Sequence, residues 1–133
     1  MIPKKKELKY KMSKIEELNK VLAELLASSS DVEACAVVSE DGLMMASALP
    51  QGVEEARVAA MSAAMLSMGA RTAMELNRGE IEQVFLKGDH GYVVMMQASR
   101  HGVLVGLARK DAKLGLLFLD MGRAAEAAAA ILS

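Results

Sequence analysis

The sequence predicts an α+β fold, a three-layer α/β/α sandwich: a five-stranded, mainly antiparallel sheet with the middle helix on one face and the outer helices on the other. Three observations carry this expectation. Strand-like runs are joined by short glycine turns at Glu40-Asp41-Gly42, Gly88-Asp89-His90-Gly91 and Ser99-Arg100-His101-Gly102, spacings that favour antiparallel neighbours. Two of those runs, Tyr92–Met96 and Val103–Arg109, are apolar at nearly every position, as in strands covered on both faces. Three helical stretches, one early, one central and one last, supply the cover.

The first helix is read from Ser13, because SKIE places Ser13 at the cap and Glu16 three residues on, a capping box. Ile15, Leu18, Leu22, Leu25 and Leu26 recur at helical spacing until Ser28-Ser29-Ser30-Asp31. Residues 1–13 read as a flexible basic arm, with lysines at 4, 5, 6, 9 and 11 and Pro3 against an early helix. The domain proper then runs over residues 14–133. Strands follow at Glu33–Ser39 and Leu43–Leu49.

The middle helix, Val53–Asn77, has no proline and is rich in Ala and Met, both strong helix formers. At about 100° per residue it has two faces. Val58, Ser62, Met65, Leu66, Gly69, Ala73 and Leu76 are expected against the sheet, with Gly69 allowing close approach to a neighbouring backbone. Arg57, Ala60, Met61, Ala64, Met68, Arg71 and Glu75 form the other face, Met and Ala rimmed by charge. Flexible Met on an accessible surface suits protein recognition. Asn77-Arg78-Gly79 ends this helix, with Gly79 at the usual cap position.

The third strand, Glu80–Lys87, is partly polar and reads as an edge. Asp111 caps the last helix, whose buried stripe is Leu114, Leu117, Phe118, Met121, Ala125 and Ala128; Gly115 and Gly122 hint at close packing. The order is therefore α-β-β-α-β-β-β-α. One helix about 10 Å wide does not cover five strands spaced about 4.8 Å apart. A second middle helix from a symmetric mate would complete that layer. The mate would pair through the third strand at Glu80, Glu82, Val84 and Leu86.

Composition bounds the function. Apolar residues reach 53%, which excludes a disordered chain. A net charge of −1 and only 3% aromatics give neither the field nor the stacking platforms for nucleic acid. No membrane span and no signal peptide are expected. A single cysteine, Cys35, allows no internal disulfide and points to the cytoplasm; it reads as a small buried hydrophobe. There is no GxxxxGK[ST] loop, no GxGxxG after a strand, and no partner at ligand spacing for His90 or His101. The chain is therefore expected to be no enzyme and to need no cofactor or metal.

Three stretches, AVVSEDGLMMAS (36–47), QVFLKGDHGYVVMMQAS (83–99) and GVLVGLARKDAKLGLLFLDMGRAAEAAA (102–129), together with the element order, carry a resemblance. From about Lys14 onward the chain resembles the roadblock domain of dynein light chains and of bacterial and archaeal regulators of small Ras-like GTPases. The lysine arm lies outside it. The resemblance implies homo- or heterodimers with a sheet continuous across the third strands and paired middle helices. It implies no chemistry by the domain itself. In several members the paired-helix surface docks a small GTPase and modulates its nucleotide cycle; others scaffold motor or signalling complexes. Carried onto this chain, the docking surface draws on Arg57, Met61, Ala64, Met68 and Arg71. The leading expectation is a prokaryotic, homodimeric GTPase regulator. The alternatives are a structural light chain without a GTPase, and a ligand sensor of profilin, PAS or GAF type, which would need a cavity between sheet and helix.

Overall fold

A computed structural model describes residues 4–133, with side chains from residue 13 onward. The observed order is helix α1 (Lys4–Ser28), strands β1 (Val32–Ser39) and β2 (Met44–Ala48), helix α2 (Glu55–Glu75), strands β3 (Gln83–Gly88), β4 (Gly91–Gln97) and β5 (Gly102–Arg109), and helix α3 (Leu114–Leu132). Every strand pair is antiparallel. The sheet order is β2-β1-β5-β4-β3. The two strands read as covered on both faces, β4 and β5, are internal, and β3 is an edge, as the sequence indicated.

Alternation along the strands divides the core. Cys35, Val37, Val94, Met96 and Leu104 point to one face, where Leu18, Leu22 and Leu25 of α1 meet Leu117, Met121 and Ala128 of α3. Val38, Met95, Val103 and Val105 point to the other, under Ala59 and Leu66 of α2. The outer helices therefore share one face and α2 covers the opposite one alone. At the far end of the first layer, Phe85 stacks on Tyr92 at 5.2 Å and meets Phe118 edge-on at 5.4 Å.

Several boundaries differ from expectation for local reasons. Helix α1 starts at Lys4, so Ser13 lies inside the helix and is not its cap. Residues 4–12 are mostly Lys, Glu, Leu and Met without Gly or Pro, so nothing in them stops a helix that the capping-box pattern seemed to begin. The remainder of the expected arm, residues 1–3, lies outside the described residues, as do the lysine side chains before residue 13. Ile15, expected in the buried stripe, is exposed, and Val21 is buried instead.

Helix α2 ends in a Schellman motif. Asn77 takes the left-handed conformation (φ 58°), Arg78 N–H donates to the Ala73 carbonyl at 2.7 Å, and Asn77 N–H to that of Met74 at 3.1 Å. The cap is thus Asn77, two residues ahead of Gly79.

Helix α3 begins at Leu114 without a side-chain cap from its own first turn. Asp111 instead holds Arg109 through two hydrogen bonds of 3.2 and 3.1 Å. This hydrogen bonding, with the attendant charge, lowers the Asp111 pKa and raises that of Arg109. The capping role falls to Asp31, distant in sequence: its Oδ2 accepts Lys113 N–H at 3.0 Å and its carbonyl accepts Arg109 N–H at 2.9 Å.

Leu114, expected on the buried stripe, is exposed. The glycines of α3 do not mark close packing either, since a Cβ at Gly115 or Gly122 would meet nothing within 4 Å. Gly122 therefore carries only the helix-interior entropy cost of glycine. Gly122→Ala is expected to raise stability by about 0.5–1 kcal/mol, measured by urea unfolding.

Candidate functional site

The candidate site is the outward face of α2 together with the β3 edge. Small side chains fix how α2 lies. Ala59, Ser62 and Leu66 are buried, and Ala63, Gly69, Ala70 and Ala73 are half-buried. The sheet-facing stripe is therefore centred on Leu66 and built largely of Ala, which lets the helix axis approach the strands. Met65 and Leu76, expected against the sheet, are exposed, Leu76 at 65%; the alanines occupy their places. Gly69 does mark close approach, but to side chains rather than backbone: a Cβ there would lie 2.7 Å from Ile81 Cδ1 and 2.9 Å from Val84 Cγ2.

All seven residues expected on the outer face, Arg57, Ala60, Met61, Ala64, Met68, Arg71 and Glu75, are exposed. They divide by direction around the helix. On the flank towards β3, Met65, Met68, Thr72 and Leu76 line a shallow apolar groove whose far wall is Ile81 and Val84. Met61, 53% exposed, and Met68, 66% exposed, continue this stripe at i, i+4, i+7 spacing with Met65 between them. The opposite flank and ridge carry Ala60, Ala64 and Arg71. Arg57 is tied to Glu54 by a 3.2 Å ion pair. Among the described residues, Arg71 and Glu75 form no ion pair.

The sheet beyond α2 continues the apolar band. Leu86 pairs with Val93, and Val93 with Leu107. This row lies on the α2 face; Val93 and Leu107 are only half-buried and Leu86 is exposed. Among the expected edge residues, Val84 and Leu86 lie in β3, whereas Glu80 and Glu82 precede it. Carboxylates before the strand and β-formers within it account for the later start. Within the sheet β3 hydrogen-bonds only to β4, so its other backbone edge is open for pairing.

Nothing at this site assembles reactive groups. Among the described residues, no three His, Cys, Asp or Glu stand where they could hold a metal. His90 sits exposed in the β3–β4 turn. His101 Nδ1 is 3.1 Å from Glu40 Oε1, a contact that ties the β4–β5 turn to the β1–β2 turn. Cys35 is fully buried in β1 on the α1/α3 face, and burial pushes its thiol up to about 11. A thiol that stays protonated and covered is inert. Ellman's reagent is expected to leave the native chain unmodified at pH 8 and to titrate one thiol after denaturation. Because the unfolded thiol ionises first, stability is expected to fall as pH rises from about 9 towards 11.

The site is thus an apolar helix face running into an open sheet edge. The chain belongs to the Roadblock/LC7 domain family, whose model matches residues 18–108. A relative from Methanocaldococcus jannaschii, the uncharacterized protein MJ1340, is 38% identical over 109 residues, covering 82% of this chain and 94% of its own. Among solved structures, the gliding protein MglB of Thermus thermophilus has a TM-score of 0.79 at 22% identity, covering 89% of this chain and 90% of its own. Myxococcus xanthus MglB has 0.81 at 20%, covering 89% of each chain. No helix among the described residues is long and apolar enough to cross a membrane.

Proposed function

We propose that this chain is a non-catalytic, homodimeric regulator or scaffold that binds a small Ras-like GTPase in the cytoplasm and modulates its nucleotide cycle. One observation carries the reading. The exposed Met65–Met68–Leu76 flank, the Ile81–Val84 wall and the half-covered Leu86–Val93–Leu107 row make one apolar band ending at the open β3 edge. A large exposed apolar patch marks an interface, and a β3–β3 pairing about a two-fold axis brings a second α2 over that band. Membership of the roadblock family supports a dimer of this kind and a GTPase as its partner.

On this reading the face of α2 has two jobs. Met65, Met68, Thr72 and Leu76, with Val84 and Leu86, form the seam with the mate. Arg57, Ala60, Met61, Ala64, Arg71 and Glu75 form the ridge left to the GTPase. No side chain here needs to act on the nucleotide, so modulation works by holding GTPase segments in one of their states.

The test is a pull-down of the purified dimer against GTPases of the same cell, each loaded with GDP or a GTP analogue. Binding that prefers one nucleotide state supports the proposal. A dimer that captures none of them in either state overturns it in favour of a structural light chain.

A further inference from the structure

Helix α1 is longer than the domain needs. Among the described residues its core contacts begin at Leu18, which is fully buried, and continue through Val21, Leu22 and Leu25. Ile15, three residues before Leu18, is 42% exposed, so the core has already ended there. At about 1.5 Å per residue, the stretch from Lys4 to Lys14 adds roughly 16 Å of helix. The family model matches from residue 18, so this stretch lies outside the matched domain. Neither the seam nor the ridge assigned to α2 uses it.

Its residues are patterned. Lys4, Lys5, Lys6, Lys9, Lys11 and Lys14 against the single acid Glu7 give residues 4–14 a net charge of +5, in a chain whose total is −1. The remaining residues therefore carry −6, and the excess positive charge is gathered on this one stretch. At about 100° per residue, Leu8, Met12 and Ile15 fall within one band about 60° wide. The centre of that band is turned roughly 80° from the Leu18, Leu22 and Leu25 stripe, so it is not the core stripe prolonged. Lys4 and Lys11 border the band on one side, Lys5 and Lys9 on the other. An apolar band bordered by lysines is the pattern of an interfacial helix. Such a helix lies in the plane of a membrane surface, its apolar face at the acyl boundary and its lysines among the headgroups.

We propose that the Lys4–Lys14 stretch of α1 holds the protein on an anionic lipid surface. Lipid fits this stretch better than nucleic acid does. A nucleic-acid contact would use the lysines and leave Leu8, Met12 and Ile15 in water, whereas a bilayer takes both. Each lysine near an anionic surface strengthens attachment several-fold. Three apolar side chains add a hydrophobic contribution too small to hold the chain on a neutral bilayer. Attachment is therefore weak, reversible and screened by salt. The inference rests on α1 alone and is independent of the α2 seam and of the GTPase.

The experiment is co-sedimentation of the full chain with vesicles of phosphatidylcholine, alone or with about 30% phosphatidylglycerol, at low and high salt. The native protein is expected to pellet with the anionic vesicles at low salt. It is expected to stay in solution with the neutral vesicles, and with either kind at about 0.5 M salt. Lys5→Glu combined with Lys9→Glu is expected to weaken binding by roughly tenfold or more. Leu8→Gln combined with Met12→Gln leaves the charge unchanged and is expected to weaken it as much. Lys87→Glu combined with Lys110→Glu changes the net charge by the same amount at exposed positions in β3 and after β5, and is expected to bind as the native chain does. The α1 changes all precede its buried part, and circular dichroism checks that each variant stays folded. Absence of native binding to anionic vesicles overturns the proposal. So does binding that the Leu8 and Met12 changes leave intact, or that the Lys87 and Lys110 changes weaken equally. Native binding to duplex DNA that anionic vesicles do not compete away overturns it as well.

Discussion

Met68→Glu is expected to turn the two-chain species into a monomer at micromolar concentration while leaving the fold intact. Met68 is exposed in the isolated chain, so a carboxylate there is hydrated and costs the monomer little. In the proposed dimer the same side chain is covered by the mate, next to Met65, Thr72 and the Ile81–Val84 wall. A carboxylate desolvated there is surrounded by Met65, Ile81 and Val84, with Arg78 at the rim of the groove, and a buried charge that is not fully paired costs several kcal/mol. The two-fold axis makes the cost count twice. Even about 2 kcal/mol per chain raises the dimer Kd by close to 10³-fold. Light scattering after gel filtration reads the mass and circular dichroism the helix content. A variant that stays dimeric at 10 µM places the seam elsewhere. The companion change is Ala64→Glu, on the ridge side. It is expected to keep the dimer and lose the GTPase, which separates the two jobs assigned to one helix.

That division could not have been drawn from the sequence, and the reason is specific. The hydrophobic weight of α2 lies in its methionines, so a face sought by hydrophobicity drifts towards Met65 and Leu76. The sheet selects instead for small side chains, because close helix approach buries more strand surface than a long side chain held at a distance. Ala59, Ala63 and Ala70 carry little hydropathy and so went unremarked, yet they are what the sheet touches. The expected outer face was easier, since charged Arg57, Arg71 and Glu75 pin its direction.

Element order, the antiparallel pairing of consecutive strands and the layer arrangement were legible because they follow from turn chemistry and from burial on both faces; the pairing of β1 with β5 was not. Gly42 takes positive φ (83°) in the β1–β2 turn, where Gly42 N–H bonds the Ser39 carbonyl at 3.0 Å. Such turns force antiparallel neighbours. The ends of elements were less legible. Ser13 satisfies a cap pattern that the residues before it override, and Asp111 stands at the right place for a cap but is held by Arg109. The residue that does cap α3, Asp31, is brought there by the fold of β1 beside β5. No local pattern announces a partner so distant in the chain.

The largest expected effect on stability concerns Gly106, and it tests how α3 is seated on the sheet. Gly106 lies at the middle of β5, the central strand, between Cys35 on one side and Val94 on the other. A Cβ there would come 2.6 Å from Met121 Sδ and 2.8 Å from its Cε. The fully buried Met121 therefore fills the hollow that the glycine leaves, and it fixes the height of α3 over the sheet. Gly106→Val should destabilise by about 1–3 kcal/mol, because the thioether must leave its site in a packed core. Met121→Ala should destabilise by about 2–5 kcal/mol through the emptied volume.

The informative quantity is the double variant. Valine methyls at 106 occupy part of the space that Met121 vacates, so the two losses should not add. We expect the double variant to be more stable than the sum of the singles predicts by about 1–3 kcal/mol, the range for residues in direct contact. Urea unfolding at one fixed chain concentration measures this, since association contributes to the stability of a dimer. Agreement with additivity to within about 0.5 kcal/mol would mean that Met121 does not rest on Gly106. In that case the strand glycine would need another explanation, and the seating of α3 would have to be set by the Leu117 and Ala128 contacts instead.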